Sequence, residues 1–223
     1  MNYIIETILD LLFPRRCPVC GQIIMPKGNL ICPGCIRKLS WVRGPVCKCC
    51  GKEIISETAE YCSDCAIHPR SFSNGMALLN YNEISAPSLA KIKYHNHREY
   101  LDFYAEAAYR KYAARIARLS PDLIIPVPVH KSRMKKRGFN QAEEFGKRLS
   151  HYLEIPMNSS LLIRSKKTVP QKDLGPALRL KNLEQAFSCR KLPYRMKKVL
   201  LIDDIYTTGS TAEACSRALK KAG

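Results

Sequence analysis

The stretch V-L-L-I-D-D-I-Y-T-T-G-S-T, Val199 to Thr211, decides how the rest of the chain is interpreted. Its first four residues are apolar without interruption, which is typical of a strand buried on both faces of a parallel sheet. A turn of glycine and hydroxyl residues follows, and a helical pattern then runs from Ala212 to Ala222. Such a turn offers free backbone N–H groups and the positive end of a helix dipole, a combination that binds phosphate.

Two acids, Asp203 and Asp204, stand between the strand and the turn. Carboxylates do not bind phosphate themselves, but they suit sugar hydroxyls or a Mg²⁺ ion that accompanies the phosphate. One alternative is that the acids only cap the next helix. Another is the Walker B strand of a nucleotide hydrolase, but the sequence lacks the G-x-x-x-x-G-K-[ST] loop that such an enzyme needs. The stretch therefore predicts a site for a ribose 5-phosphate.

The same stretch resembles the phosphoribosyl pyrophosphate (PRPP) motif of type I phosphoribosyltransferases. The resemblance implies that Asp203 and Asp204 bind the ribose 2′ and 3′ hydroxyls of PRPP and that Mg²⁺ accompanies this ligand. It also implies that the turn binds the 5′-phosphate through Thr207, Thr208, Gly209, Ser210 and Thr211.

Eight of the eleven cysteines form four C-x-x-C pairs that start at intervals of fifteen residues: Cys17/Cys20, Cys32/Cys35, Cys47/Cys50 and Cys62/Cys65. Two such pairs supply the four thiolates of a closed structural zinc site. In a chain without an export signal, this regularity predicts two structural zinc ions rather than disulfides. Redox C-x-x-C motifs are the alternative, although four in one chain would be unusual.

Glycine follows only the first and third pairs, as Gly21 and Gly51. The repeating unit is therefore a double knuckle, which favours sequential zinc sites in which the first pair joins the second and the third joins the fourth. An interleaved arrangement stays open. Because this segment is too short for a good hydrophobic core, metal binding is expected to supply much of its folding free energy.

The net charge is +18, from 37 basic and 19 acidic residues, and it predicts a polyanionic partner such as nucleic acid, a phosphorylated substrate or an anionic membrane surface. The sequence contains no apolar run long enough to span a membrane. Residues Met1 to Phe13 have apolar positions at helical spacing but also Glu6 and Asp10, so they predict an amphipathic helix rather than a signal peptide. Packing on the protein is favoured, with a membrane surface as the alternative.

After the cysteine pairs, a short strand is predicted at Met76 to Tyr81 and a helix at Ala86 to Tyr112. A further buried strand is predicted at Leu123 to Val129, and a helix is predicted from about Asn140 to Tyr152. The strand-loop-helix order fits a doubly wound parallel sheet, in which ligands collect at the carboxyl ends of the strands. The connecting loop is strongly basic and is expected on the same edge as the Asp pair. It suits pyrophosphate or a nucleic-acid backbone and offers Val129, His130, Arg133, Lys135, Lys136 and Arg137.

Three motifs together resemble the ComF family of late-competence proteins. The first is P-V-P-V-H-x-x-R-x-x-x-R-G-F-N-Q-A at Pro126 to Ala142. The second is the spaced motif R-x-x-x-T-x-x-Q-x-x-L-x-x-x-x-R-x-x-N-x-x-x-x-F, which runs from Arg164 through Arg179 to Phe187. The third is the F-P-x-x-C-x-x-C-G sequence that opens the zinc ribbons. The resemblance implies an amphipathic N-terminal helix and a small double zinc ribbon at 1–68, followed by an α/β, type I phosphoribosyltransferase-like parallel-sheet domain at 69–223. Because the family usually continues into one more strand, the sheet is expected to lack its last strand. Arg179 is expected to assist with pyrophosphate.

Three functions are then open. The favoured one is a ComF-type role in DNA uptake, with binding of PRPP and of single-stranded DNA on the cytoplasmic side, beside the competence helicase or at the inner face of the membrane. The second is an active phosphoribosyltransferase, for which the sequence names no acceptor. The third is a zinc-ribbon adaptor whose second domain is a relic. Candidate aromatic platforms for single-stranded DNA are Tyr94, Tyr100, Phe139 and Tyr206.

Overall fold

The computed structural model describes residues 12–165, 185–191 and 196–223. The predicted amphipathic helix falls almost entirely outside these ranges, as do Arg179 and most of the series between Arg164 and Phe187. Within the described part of the chain, none of the helices has the length and apolar content that crossing a bilayer requires.

The described elements alternate between helices and short strands in the second half of the chain. In order they are α1 (Pro33–Ile36), α2 (Ser63–Ile67), α3 (Ser85–His95), α4 (Tyr100–Leu119), β1 (Leu123–Pro126), α5 (Lys131–Arg137), α6 (Gln141–Leu153), β2 (Leu162–Arg164), β3 (Phe187–Cys189), β4 (Val199–Ile202) and α7 (Ser210–Lys221).

The two strands predicted from apolar runs, β1 and β4, pair in parallel, with Leu123 opposite Val199 and Pro126 opposite Ile202. Val127 then donates its backbone N–H to Ile202 at 2.8 Å, so the chain leaves both strands at the same edge. All four β1 residues are buried, because helices cover both faces of a parallel sheet. The fold is therefore α/β with parallel strands in the sheet, preceded by zinc ribbons.

Strands β2 and β3 form a separate antiparallel pair, with Leu162 opposite Cys189. Their apolar side chains pack into one cluster with one face of β1 and with Ala214 and Cys215 of α7. The other face of the main sheet meets α4 and α6 through Ile124 and Leu149. This packing holds the first turn of α7 directly behind the end of β4.

The first zinc ribbon packs on the helices that precede the sheet. Cys17, Ile24, Ile31 and Leu39 belong to the same buried cluster as residues of α3 and α4, among them Ile92, Leu101 and Tyr104. Asp102 of α4 reinforces the junction, since it pairs with Arg15 at 2.7 Å and with Arg148 of α6 at 2.6 Å. The ribbon and the helices thus share one core.

Three predicted elements differ from the structure. The basic segment between β1 and α6 is a short helix, α5, which Gly138 ends at a φ of 77°. The strand expected at Met76 to Tyr81 amounts to an isolated bridge between Leu79 and Trp41. The long helix expected from Ala86 to Tyr112 is two helices, separated at Asn96, whose φ of 59° ends α3.

Candidate functional site

A cavity of about 680 Å³ opens at the edge where β1 and β4 end. The exit of β4, the turn that follows it and the start of α7 contribute the acids Asp203 and Asp204 and the hydroxyls of Thr207 and Thr211. The opposite wall is basic and comes from the β1–α6 connection, with Val129, Arg133, Lys136 and Arg137. The structure therefore places the two predicted halves of the site around one space.

Other predicted residues lie near this cavity without lining it. His130 is the N-cap of α5 and accepts a hydrogen bond from the Ser132 backbone N–H at 3.2 Å. Lys135 lies on the exposed face of the same helix. Thr208, Gly209 and Ser210 form the back of the turn, where the Thr208 and Ser210 hydroxyls are 3.0 Å apart. Gly209 has a φ of 79°, a conformation in which glycine is favoured, and it caps α7.

The two neighbouring carboxylates, Asp203 and Asp204, repel each other when both are ionised. Burial and the charge of Asp204 raise the pKa of Asp203, because two neighbouring carboxylates resist ionising together. Lys93, at the C-terminal end of α3, places its Nζ 2.5 Å from Asp204 Oδ2, and both side chains are largely buried. A hydroxyl or a metal ion that reached Asp204 would therefore compete with this lysine.

Cations outnumber acids around the cavity. Its lining includes five cations, Lys93, Arg133, Lys136, Arg137 and Arg164, and two carboxylates, Asp203 and Asp204. Burial and the nearby charge of Arg133 lower the pKa of Arg164, which means that these guanidinium groups repel one another. An anion bound between them would relieve that repulsion.

Sequence reasoning did not assign Lys93 or Arg164 to the site. Lys93 belongs to a basic cluster around Asn96 whose position in the fold is not visible in the sequence, since it reaches the sheet edge only through the packing of α3. Arg164 was noted only within a family pattern. Its position at the end of β2 places it beside the cavity. The rule that ligands collect at the carboxyl ends of parallel strands identifies neither residue, because Lys93 lies on a helix and Arg164 ends a strand of the separate antiparallel pair.

The described aromatic candidates differ sharply in exposure. Tyr100 and Phe139 are buried in the core, and Tyr206 packs against the second cysteine cluster. Tyr94 is 63% exposed, and the Arg137 guanidinium lies 5.2 Å from its ring centroid. Of these four, Tyr94 alone is largely exposed and lies next to the basic wall.

The eight paired cysteines form two groups with the sequential pairing, Cys17/Cys20/Cys32/Cys35 and Cys47/Cys50/Cys62/Cys65. Within each group all Sγ atoms lie within 4.8 Å of one another. A tetrahedral zinc ion with Zn–S bonds of about 2.3 Å needs sulfurs about 3.8 Å apart. The Cys20–Cys32 and Cys50–Cys62 distances of 3.9 and 3.7 Å match that value. The residues present therefore fit two structural zinc ions.

Comparison with known proteins places these features in a family. Residues 8–66 match the family model described as a double zinc ribbon domain. The chain is 32% identical to Competence protein F of Haemophilus influenzae over 218 residues, which covers 95% of this chain and 93% of the relative. It is 26% identical to Competence protein ComFC of Bacillus subtilis over 90% of this chain and 82% of that relative.

A third relative is the DNA utilization protein YhgH of Escherichia coli strain K12, 28% identical over 73% of this chain and 72% of the relative. No solved structure matches the chain significantly. The match to Competence protein F extends through both the zinc clusters and the cavity-lining segments, so it is not confined to one motif. The chain belongs to the ComF family.

Proposed function

We propose that this protein acts in DNA uptake, where it binds PRPP together with Mg²⁺ at the strand-end cavity and single-stranded DNA on the basic surface around it. In this proposal the protein works on the cytoplasmic side of the membrane, beside the competence helicase. The names of its relatives, two competence proteins and a DNA utilization protein, support the process. The chemistry of the cavity supports the ligands.

The observation that carries the PRPP proposal is the arrangement of three groups around one cavity of about 680 Å³. Asp203 and Asp204 suit the ribose hydroxyls and the Mg²⁺ ion, and the turn from Thr207 to Thr211 suits the 5′-phosphate. Arg133, Lys136 and Arg137 suit the pyrophosphate across from them. We also propose, from the resemblance to the ComF family, that the zinc-ribbon domain ends at residue 68 and that the phosphoribosyltransferase-like domain begins at residue 69.

Isothermal titration calorimetry with PRPP and Mg²⁺ tests this site. We expect wild type to bind and the double variant Asp203→Asn/Asp204→Asn to lose at least about tenfold in affinity, because the amides cannot replace two charge-assisted hydrogen bonds. Glu57→Gln/Glu83→Gln is a matched control, since it also removes two carboxylates, both of them exposed and outside the cavity lining. Absence of PRPP binding by folded, zinc-loaded wild type would refute the proposal.

The single-stranded DNA proposal is supported by Tyr94 and the cations around it. A base can stack on the exposed ring while its phosphates meet Arg137 and Lys136, which is how strands are bound without sequence readout. The net charge of +18 adds a long-range attraction for a polyanion. The surface adjoins the PRPP cavity because Tyr94 and Arg137 also line it.

Fluorescence anisotropy with a labelled single-stranded oligonucleotide, measured over a series of salt concentrations, tests this surface. Tyr94→Ala is expected to weaken binding by about 1–3 kcal/mol while leaving the salt slope unchanged, because it removes stacking and no charge. Lys136→Ala should instead reduce the slope of log binding constant against log salt concentration by about one, because it removes one phosphate contact. The control Tyr81→Ala removes an equally exposed tyrosine outside the cavity lining. Equal losses for Tyr94→Ala and Tyr81→Ala would contradict the assignment.

Catalytic transfer is not part of the proposal. An active phosphoribosyltransferase needs an acceptor whose nucleophile approaches the ribose, and none of the described cavity residues identifies one. Binding of PRPP without turnover agrees with all the geometry above, and the calorimetric test is independent of any acceptor.

A further inference from the structure

The second zinc ribbon and the segment that directly follows it touch the back of the phosphate turn, each through one cation. Lys52 Nζ donates to the backbone carbonyl of Thr207 at 3.3 Å, and Arg70 Nη2 donates to the carbonyl of Thr208 at 2.7 Å. Lys52 lies two residues after Cys50 and is held by Asp64 at 2.9 Å, while Arg70 lies five residues after Cys65. Consecutive carbonyls of the turn are thus anchored to one side.

This anchoring fixes the direction of the backbone N–H groups that would bind phosphate. In a trans peptide the C=O and N–H point in opposite directions. A Thr207 carbonyl directed at Lys52 therefore turns the Thr208 N–H away from the ribbon. In the same way, the bond from Arg70 to Thr208 turns the Gly209 N–H away from it.

Tyr206 adds an apolar anchor next to these hydrogen bonds. Its ring packs on a buried cluster that contains Cys47, Cys50 and Cys65, and it meets Phe72 edge-to-face at a centroid distance of 6.5 Å. The Tyr206 hydroxyl lies so close to Gly209 that a Cβ atom there would collide with it. The Tyr206 side chain therefore occupies the space between Gly209 and the second cysteine cluster.

The first turn of α7 is held from the same side. Glu213 is 1% exposed, and its Oε2 accepts hydrogen bonds from the Ser71 backbone N–H at 2.7 Å and from the Ser71 hydroxyl at 3.1 Å. A carboxylate at that depth is costly unless its partners are retained. The segment from Arg70 to Phe72 thus fixes both the turn and the helix start that follows it.

We propose that Lys52 and Arg70 are positioning residues for phosphate binding: the second zinc ribbon and the segment that directly follows it hold the Thr207–Thr211 turn in the conformation that receives a 5′-phosphomonoester. Zinc in the second cluster then affects the phosphate affinity of the neighbouring turn, because the metal fixes the fold from which Lys52 and Arg70 reach it. The inference rests on the proposed function in one respect, that the turn binds phosphate.

Calorimetry with two probes, ribose 5-phosphate and inorganic pyrophosphate, tests the proposal on the full zinc-loaded chain. Arg70→Ala is expected to weaken ribose 5-phosphate about tenfold, the effect of one charged hydrogen bond, and to leave pyrophosphate within twofold. Arg70→Lys should recover most of the lost affinity, because lysine can still donate to the Thr208 carbonyl. Arg37→Ala is the matched control, an exposed arginine of the first ribbon.

Zinc content and melting temperature report whether the Arg70 variants are folded. A second measurement needs no ligand: amide hydrogen exchange across residues 207–211 should be faster in Arg70→Ala than in wild type and unchanged in Arg37→Ala. Unchanged exchange and unchanged ribose 5-phosphate affinity in a folded Arg70→Ala variant would overturn the inference. An equal loss of both probes would also overturn it, since that result indicates a general change of charge.

The failure of the two proposals can be told apart. If wild type binds ribose 5-phosphate and Arg70→Ala binds it equally well, the positioning role is wrong and the proposed site stands. If wild type binds neither PRPP nor ribose 5-phosphate, the proposed function is wrong, and the positioning role falls with it.

Discussion

Asp203 is a single residue whose place in the candidate site lowers the stability of the fold. Its pKa is raised by burial and by Asp204, so the folded chain binds a proton here that the unfolded chain has released. Between the ordinary pKa of an aspartate and the raised one, the folded state holds more protons than the unfolded state. The free energy of unfolding therefore falls as the pH rises through that window.

We predict that Asp203→Asn raises the melting temperature of the zinc-loaded protein by about 2–4 °C at pH 8, since the amide avoids a buried charge next to Asp204. The gain should shrink toward pH 5, where Asp203 of wild type is protonated and neutral as well. Thermal melts of both proteins from pH 5 to pH 8 measure this difference.

Asp122→Asn serves as the control, because it should change the melting temperature in the opposite direction. The backbone N–H groups of Lys198 and Lys197 lower the pKa of Asp122, so its ionised form stabilises the fold and its replacement should lower the melting temperature. An Asp203→Asn variant that melts lower than wild type at pH 8 would show that Asp203 is stabilised rather than strained.

Individual elements were predictable where their signals are local. The apolar runs of β1 and β4 and the cap of α6 at Asn140 depend on near neighbours in the sequence, and the structure has all three. The glycines that mark the double knuckle have a direct cause, because Gly21 and Gly51 adopt φ angles of 75° and 73° that favour glycine. The sequential grouping of the thiols agrees with that repeat.

Helix α5 was missed although its signals were present. A left-handed Gly138 ends it and three basic side chains lie in its last turn, both of which favour a helix C-terminus. The density of charge in this segment suggested a loop instead. The contribution of Lys93 to the site has no local signal, since α3 reaches the edge of the sheet only through tertiary packing.

At the scale of the whole molecule, the zinc ribbons are joined to the α/β part on two sides. The first ribbon shares a buried core with α3 and α4, where Cys17 and Cys35 lie beside Ile92 and Leu101. The second ribbon contacts the turn before α7 through Lys52, and the segment that directly follows the ribbon holds the start of α7 through Ser71 and Glu213. Loss of metal should therefore reach parts of the fold that contain no ligand.

We predict that Cys20→Ser lowers the melting temperature of the helical circular dichroism signal and not only the zinc content. Cys20 is exposed, so the substitution removes a zinc ligand with little loss of packing, and the effect reports on the metal. Because metal binding supplies folding free energy to a small site, the loss should destabilise the core that the first ribbon shares with α3 and α4. Cys49→Ser, outside both groups, is the control and should retain two zinc ions. An unchanged helical melt after the first zinc ion is lost would mean that the ribbon folds as an independent appendage, despite the common core.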